Sequence, residues 1–458
     1  MFLKKILICT TVFCVILCQI PPVYSQEIAK PKNIILFIGD GMGSAHIKAF
    51  RMFKDDPETE NVETLLFDSM LVGTLRTDPK MPLAESFLPL SMKEQNNGGV
   101  TDSAAAATAY ATGFKTINGH ISVDEDNRSL ITVLEKAKHL GLSTGLVVTS
   151  QLTDATPAVF ASHIKNRRKE KKIANQYIDN RYKGMPYVDV LLGGGSKYFI
   201  REDRNIAKEF ESLGYHLVTN KKDLISSDNQ QLLGLFGKKG MDKMLDRDVN
   251  TPSLADMTNA AIKQLSKNKK GFFLLVEGSQ IDWAAHRNDI IGVMSEMQDF
   301  EDAVSAGLKF AKNNQETQIL VTADHSTGGL SVGSEQDGKS YYQWNSHFVA
   351  SAKATPEKII ERAVESGNLY SEIKKYTGFQ LSKKEIKKLA KIEPEETKKA
   401  LFFITGLVDR RSYTGWTTHG HTGVDVNLYA YGSQSQQLIG HWDNTKIGKF
   451  IFKLLEDL

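Results

Sequence analysis

The sequence predicts an α/β fold, a three-layer sandwich in which a mostly parallel central sheet is flanked by helices. Three features carry that prediction. Several short apolar runs show no alternation with polar residues, as strands covered on both faces do. Helix-period patterns lie between those runs. Each run also stops at a group of carboxylate, hydroxyl or glycine residues, as strands of an open α/β sheet do at the edge where ligands bind.

The strand candidates are residues 33–38 (NIILFI), 144–149 (TGLVVT), 272–276 (FFLLV) and 317–322 (TQILVT). Helical patterns cover 130–140, 254–268 and 289–313. Residues 352–411 are rich in Lys and Glu and carry helix-like pieces such as 382–392. That region is expected to be a helical insertion within one domain spanning 26–458, because no internal repeat or low-complexity linker divides the chain. The basic stretch 165–172 (KNRRKEKK) is expected to be mostly solvated surface.

The first 25 residues are expected to lie outside the fold. Lys4 and Lys5 precede an uncharged apolar run over 6–20, which Pro21 and Pro22 end before Val23, Tyr24 and Ser25. This is the layout of a secretory signal peptide, and the run is short for a membrane span. A periplasmic or secreted protein is therefore expected. All three cysteines (Cys9, Cys14, Cys18) fall in this segment, so the processed chain has no disulfide and no thiolate chemistry. A lipoprotein anchor at Cys18 is the minor alternative, disfavoured by the bulk of Leu17. With 57 basic and 54 acidic residues, net charge gives no general attraction to nucleic acid or anionic membrane.

The chemistry lies in the residues just past each strand. The first run enters Gly39-Asp40-Gly41, the second Asp154-Ala155-Thr156, the third Glu277 through Asp282, the fourth Ala323-Asp324-His325. One such carboxylate is an ordinary helix N-cap. Four, with histidines, would repel one another unless cations lay among them. Asp282 and His286 have i, i+4 spacing and share a face if helical. His419 and His421 lie in a glycine-flanked loop. Mixed His and Asp ligands suit zinc, whereas Asp40, Thr156 and Glu277 offer the all-oxygen set that suits magnesium. Residues 101–113 (TDSAAAATAYATG) predict a helix with Gly113 as its stop. Asp102 or Ser103 is then the N-cap, or Ser103 is a nucleophile at a helix terminus that favours anions.

The blocks DGMG, TDSAAAATA, DATP, VEGSQIDWAAH, TADH and GHTG, in this order from Asp40 to Gly423, resemble those of bacterial alkaline phosphatases. The resemblance implies hydrolysis of phosphomonoesters, with broad specificity and an alkaline optimum, through a phosphoserine at Ser103. It implies two zinc ions and one magnesium per subunit of a homodimer. Asp282, His286 and His421 would hold the first zinc; Asp40, Asp324 and His325 would hold the second. Asp40, Thr156 and Glu277 would hold magnesium, with Asp154 in its outer shell. Arg167 would clamp phosphate, its planar fork suiting two oxygens. Arg168 is its rival for that role, as His419 is for His421. Trp283 is expected to border the substrate; a lysine stands there in the enterobacterial enzyme, which puts phosphate affinity and the metal of the third site in question. The other histidines, including His120 and His163 near the motifs, are expected to be structural.

A sulfatase is disfavoured because Ser103 is followed by four alanines instead of the C/S-x-P-x-R setting. A phosphodiesterase shares the metal pair but would leave Arg167 one oxygen short, and a metal-dependent mutase would meet little substrate outside the cell. A non-catalytic metal- or phosphate-binding protein is the remaining alternative.

Overall fold

The computed structural model describes residues 30–458 apart from 57, 61–62, 81–98 and 394. The predicted signal peptide and the three cysteines lie outside the described residues.

Among the described residues, ten strands form the central sheet: β1 (Asn33–Gly39), β2 (Leu71–Arg76), β3 (Ser143–Gln151), β4 (Val190–Gly194), β5 (His216–Val218), β6 (Leu232–Leu235), β7 (Phe272–Gly278), β8 (Thr317–Thr322), β9 (Val426–Tyr431) and β10 (Gly440–Asp443). Their order is β10-β2-β9-β8-β1-β7-β3-β4-β6-β5. Only β9 runs against its neighbours. The four runs read from the sequence are the contiguous centre of this sheet, β8-β1-β7-β3. Every residue of β1, β7 and β8 is buried, which explains their unbroken hydrophobicity.

The helices that matter here are α1 (Ser44–Lys54), α2 (Ser103–Thr112), α3 (Glu170–Asp179), α4 (Leu254–Leu265), α5 (Gln280–Ala285) and α6 (Ile290–Asn313). Residues 352–411 contain α7 (Pro356–Ser366), α8 (Leu369–Thr377), α9 (Lys383–Leu389) and most of α10 (Thr397–Ser412). The C-terminal α11 (Thr445–Glu456) packs on α2 so closely that a Cβ on Gly448 would lie 2.4 Å from the Gly113 nitrogen. Gly113 closes α2 in the left-handed conformation (φ 74°), as its position in the sequence predicts.

Parallel register brings the functional loops to one edge. Ile38 pairs with both Glu277 and Thr322, and Val148 pairs with Glu277. The residues just past these positions therefore emerge side by side. A small antiparallel pair, Ser326–Thr327 with His421–Thr422, then pins the late glycine-flanked loop against the end of β8. Gly41 has φ 72°, and a Cβ there would lie 2.8 Å from Thr327 Oγ1 and 3.0 Å from the Asp282 Cα, so the tight first loop requires glycine.

Candidate active site and metal centre

Ser103 is the first residue of α2, and Asp102 is its N-cap, with Oδ1 accepting the Ala105 N–H at 3.0 Å. Every residue of α2 is buried, and the Tyr110 hydroxyl donates to the Ala323 carbonyl at 2.6 Å. That contact fixes the serine helix against the loop carrying Asp324 and His325. Ser103 Oγ lies 3.2 Å from His325 Nε2.

Around His325 Nε2 the acidic groups converge. Asp324 Oδ2 is 3.1 Å away and Asp40 Oδ1 3.6 Å away. Neither oxygen has a hydrogen-bond donor, although both are buried. The other Asp324 oxygen is occupied, accepting Gly41 N–H at 3.0 Å and His325 N–H at 2.9 Å. Burial, with the negative charges of Asp324, Asp282, Glu277 and Asp154, pushes the Asp40 carboxyl well above its ordinary range. Orphaned acceptors in a dry pocket are what a cation would satisfy, so the residues present fit a metal here.

A second cluster adjoins it. His286 follows the last residue of α5, and its Nε2 lies 3.3 Å from Asp282 Oδ2 and 3.2 Å from His421 Nε2. His421 Nε2 is 3.6 Å from Asp282 Oδ1. The opposite ring nitrogens are all occupied. His286 Nδ1 faces the His419 carbonyl at 2.5 Å, His421 Nδ1 faces the Thr101 carbonyl at 2.8 Å, and His325 Nδ1 faces Thr327 Oγ1 at 3.2 Å. Donation from Nδ1 leaves each Nε2 lone pair free to bind a metal, the outer-sphere arrangement that orients ligating histidines. Burial raises the Asp282 pKa, but the His286 hydrogen bond and the charges of His286, His421 and His325 outweigh it and hold the carboxylate below its usual range. Burial and the neighbouring His325 bring His421 down to about 4, against the pull of Asp282. His421 thus points into the cluster, while exposed His419 contributes its backbone carbonyl and rests its ring on Phe402.

The oxygen ligands expected for magnesium are buried as well. Glu277 Oε2 accepts from Ser279 Oγ at 2.6 Å, and burial, Asp154 and Asp324 push its carboxyl up to about 8 despite that bond. Thr156 Oγ1 is buried without a partner. Asp154 caps the short helix Ala155–Ala158 that carries Thr156, and turns Oδ1 toward Arg167.

Arg167 faces Ser103 across a cleft of about 660 Å³, whose walls also include Asn118, His120, Trp283 and Arg168. Its Nη1 donates to Asp102 Oδ2 and its Nη2 to Asp154 Oδ1, each at 3.0 Å. Burial opposes its charge, but the two carboxylates raise its pKa further. Each terminal nitrogen keeps a second N–H for a ligand. Arg168 is exposed and makes neither contact. The Trp283 ring rests on Gly240, where a Cβ would come within 2.5 Å of it.

Three contacts at the site carry no signal in the sequence. Asp102 holds Arg167 as well as capping α2. Asn118 receives the Asp102 N–H at 3.0 Å. Thr327 Oγ1 donates to Asp282 Oδ1 at 2.5 Å and also meets His325 Nδ1, so one hydroxyl joins the two histidine-carboxylate clusters. Of the histidines expected to be structural, His163 is tied to Glu135 and the Ser122 carbonyl. His46 is fully buried, and burial lowers it to about 4.

A serine at a helix terminus, bordered by two such clusters and faced by a paired arginine, defines a metal-assisted hydrolase acting on an anionic group. The comparisons narrow that class. A family model described as alkaline phosphatase matches residues 31–457. Alkaline phosphatase 3 of Bacillus subtilis (strain 168) is 46% identical over 449 residues, covering 96% of this chain and 93% of its own length. Among solved structures, the cold-active alkaline phosphatase of a psychrophilic Shewanella superposes with TM-score 0.82 at 38% identity, covering 92% of this chain and 99% of that one. A variant of the enzyme from the Antarctic bacterium TAB5, with Mg bound in the M3 site, gives TM-score 0.67 at 27% identity, covering 94% and 99%. The chain belongs to the alkaline phosphatase family. It is an enzyme that hydrolyses phosphomonoesters, with the divalent-metal dependence and phosphoserine mechanism general to that family.

Proposed function

We propose that Ser103 is the nucleophile of this phosphomonoesterase and Arg167 its phosphate clamp. Asp282, His286 and His421 hold one zinc, and Asp40, Asp324 and His325 the other. Asp40, Thr156 and Glu277 hold magnesium, with Asp154 in the outer shell. The observation that carries the reading is the 3.2 Å contact of Ser103 Oγ with His325 Nε2, beside the unpartnered oxygens of Asp40 and Asp324. Magnesium for the all-oxygen set accords with its hard oxygen donors and with the orphaned Thr156 hydroxyl.

Bound cations would supply a lowered serine pKa and neutralise charge on the leaving oxygen. The residues do the rest. Asp102 and Asp154 hold the Arg167 guanidinium in one plane, so its free N–H groups meet two phosphoryl oxygens without reorganisation. The Ser103 hydroxyl releases its proton to solvent, and the alkoxide, stabilised by the α2 N-terminus, attacks phosphorus in line with the departing oxygen. The P–O bond to the alcohol breaks, and the alkoxide takes a proton from water. A water molecule then attacks the phosphoserine, its proton passes to Ser103 Oγ, and inorganic phosphate leaves. Trp283 bounds the cleft without adding charge.

A phosphodiester would leave one Arg167 contact unmet, which favours the monoester. Residues 1–25 are proposed to be a cleaved signal peptide that directs the chain to the periplasm or exterior, and 352–411 an insertion within the single domain 26–458. A homodimer is proposed on family grounds. Among the described residues no helix is long and apolar enough to cross a membrane.

The test is hydrolysis of p-nitrophenyl phosphate and its bis-ester at alkaline pH, before and after chelation, with zinc and magnesium restored separately. Monoester activity that returns fully only with both metals supports the assignment. Preference for the bis-ester would overturn the role of Arg167.

A further inference from the structure

Arg167 accounts for only one cation of the basic stretch, and two others line the same cleft. Lys165 and Arg168 flank it in sequence and border the cleft with Asn118, Asn166 and His120. Among the described residues neither has an ion-pair partner, in contrast to Arg167 with its two carboxylates. Their backbone is not loose. Arg167 N–H donates to the Gly119 carbonyl at 2.9 Å, Arg168 N–H to Asn166 Oδ1 at 2.9 Å, and Lys169 N–H to the Asn166 carbonyl at 3.0 Å. These bonds fix a turn just before α3, so both side chains start from a set position at the cleft mouth.

The cleft is far larger than one phosphoryl group, and hydrolysis at Ser103 uses only its floor. A leaving group in line with Ser103 occupies the rest of the cleft, whose walls include Lys165 and Arg168. His120, whose pKa burial lowers, adds a polar ring to the same wall. Asp102 and Asp282, the acidic residues of this wall, are engaged by Arg167 and by the histidine cluster.

The geometry points to an outer anion subsite, formed by Lys165 and Arg168, that binds a second phosphate carried on the leaving group. This inference rests on the phosphomonoesterase reading and adds a substrate class: phosphomonoesters whose alcohol is itself phosphorylated. The bond broken at Ser103 is unchanged. The second phosphate stays on the departing alcohol, held by point charges that steer its approach.

Fructose 1,6-bisphosphate and fructose 6-phosphate form a matched pair of probes for the metal-loaded enzyme. The wild-type protein should show higher kcat/KM for the bisphosphate, and the excess should shrink as ionic strength rises from about 0.05 to about 0.5 M, because exposed charges are screened. In Lys165→Ala/Arg168→Ala the bisphosphate kcat/KM should fall about tenfold, as two exposed charge contacts allow. Fructose 6-phosphate turnover should stay within about twofold. The single charge reversal Arg168→Glu, which removes as much local charge as the double variant, should reduce bisphosphate turnover to a similar extent while sparing the monophosphate. Equal loss on both substrates, or no loss on either, would overturn the subsite. Wild-type enzyme that hydrolyses neither would overturn the phosphomonoesterase reading itself.

Discussion

Replacing Arg167 by alanine isolates the contribution of the clamp. Its side chain is 27% exposed and is held by two 3.0 Å bonds, so it meets substrate already oriented. Two charge-assisted hydrogen bonds to phosphoryl oxygens would be lost, each worth about 1.5–3 kcal/mol. Removal also turns Asp102 and Asp154 toward a dianion with no cation between. The two bonds alone sum to about 3–6 kcal/mol, which predicts a fall in kcat/KM of about two to four orders of magnitude. Affinity for inorganic phosphate as competitive inhibitor should weaken alongside. The fold should tolerate the change. Asp102 keeps the N–H groups of Ala105 and Gly119, and Asp154 keeps that of Ala155. The thermal midpoint should therefore stay within about 3 °C of wild type. Adding Asp102→Asn to Arg167→Ala should recover part of the loss by removing one repelling carboxylate. Steady-state kinetics on p-nitrophenyl phosphate, with Arg168→Ala in parallel, is the assay. A silent Arg167→Ala beside a crippled Arg168→Ala would refute the reasoning and move the clamp by one residue.

Ser103→Ala should lose most turnover while binding its full complement of metal, measured by elemental analysis of the dialysed protein. Asp324→Ala should lose one zinc equivalent, because the carboxylate that faces both His325 Nε2 and Asp40 is gone. Thr327→Val should weaken zinc binding about 10- to 100-fold in a chelator competition, since it removes the hydroxyl that orients Asp282 and His325 together. In the metal-free protein, Glu277 is raised from 4.5 to about 8, so the folded chain holds a proton that the unfolded chain releases. Its contribution is complete below about 4.5 and is lost as pH rises through about 8. The gain in thermal midpoint on adding zinc and magnesium should therefore grow between these limits, and a pH-independent gain would contradict it.

The centre of the sheet was legible because its strands are covered on both faces. β1, β7 and β8 read as unbroken apolar runs for that reason. β2 was not legible: it is half exposed and interrupted by Gly73, whose Cβ would lie 1.8 Å from the Gly440 carbonyl of its neighbour. β9 carries Asn427 and two half-buried positions within its apolar run, so it lacks the unbroken hydrophobicity of the centre. At the site, ligand types announced themselves wherever a strand ended in a carboxylate. Their partners did not. Asp102 could be read as a cap from its place before an alanine run, but its hold on Arg167 spans 65 residues of sequence. Thr327 reaches Asp282 across 45 residues, and a threonine after a histidine carries no such signal. The GHTG block favours His421 over His419, and the strand pairing of His421 with Thr327 gives that choice its physical reason.

The most direct test of the central claim is to locate the covalent phosphate. Metal-loaded enzyme is mixed with excess phosphomonoester, quenched in acid, digested and mapped by mass spectrometry. The account predicts phosphate on Ser103 alone, absent from Ser103→Ala. Phosphate on another residue, or full turnover by Ser103→Ala, would contradict it.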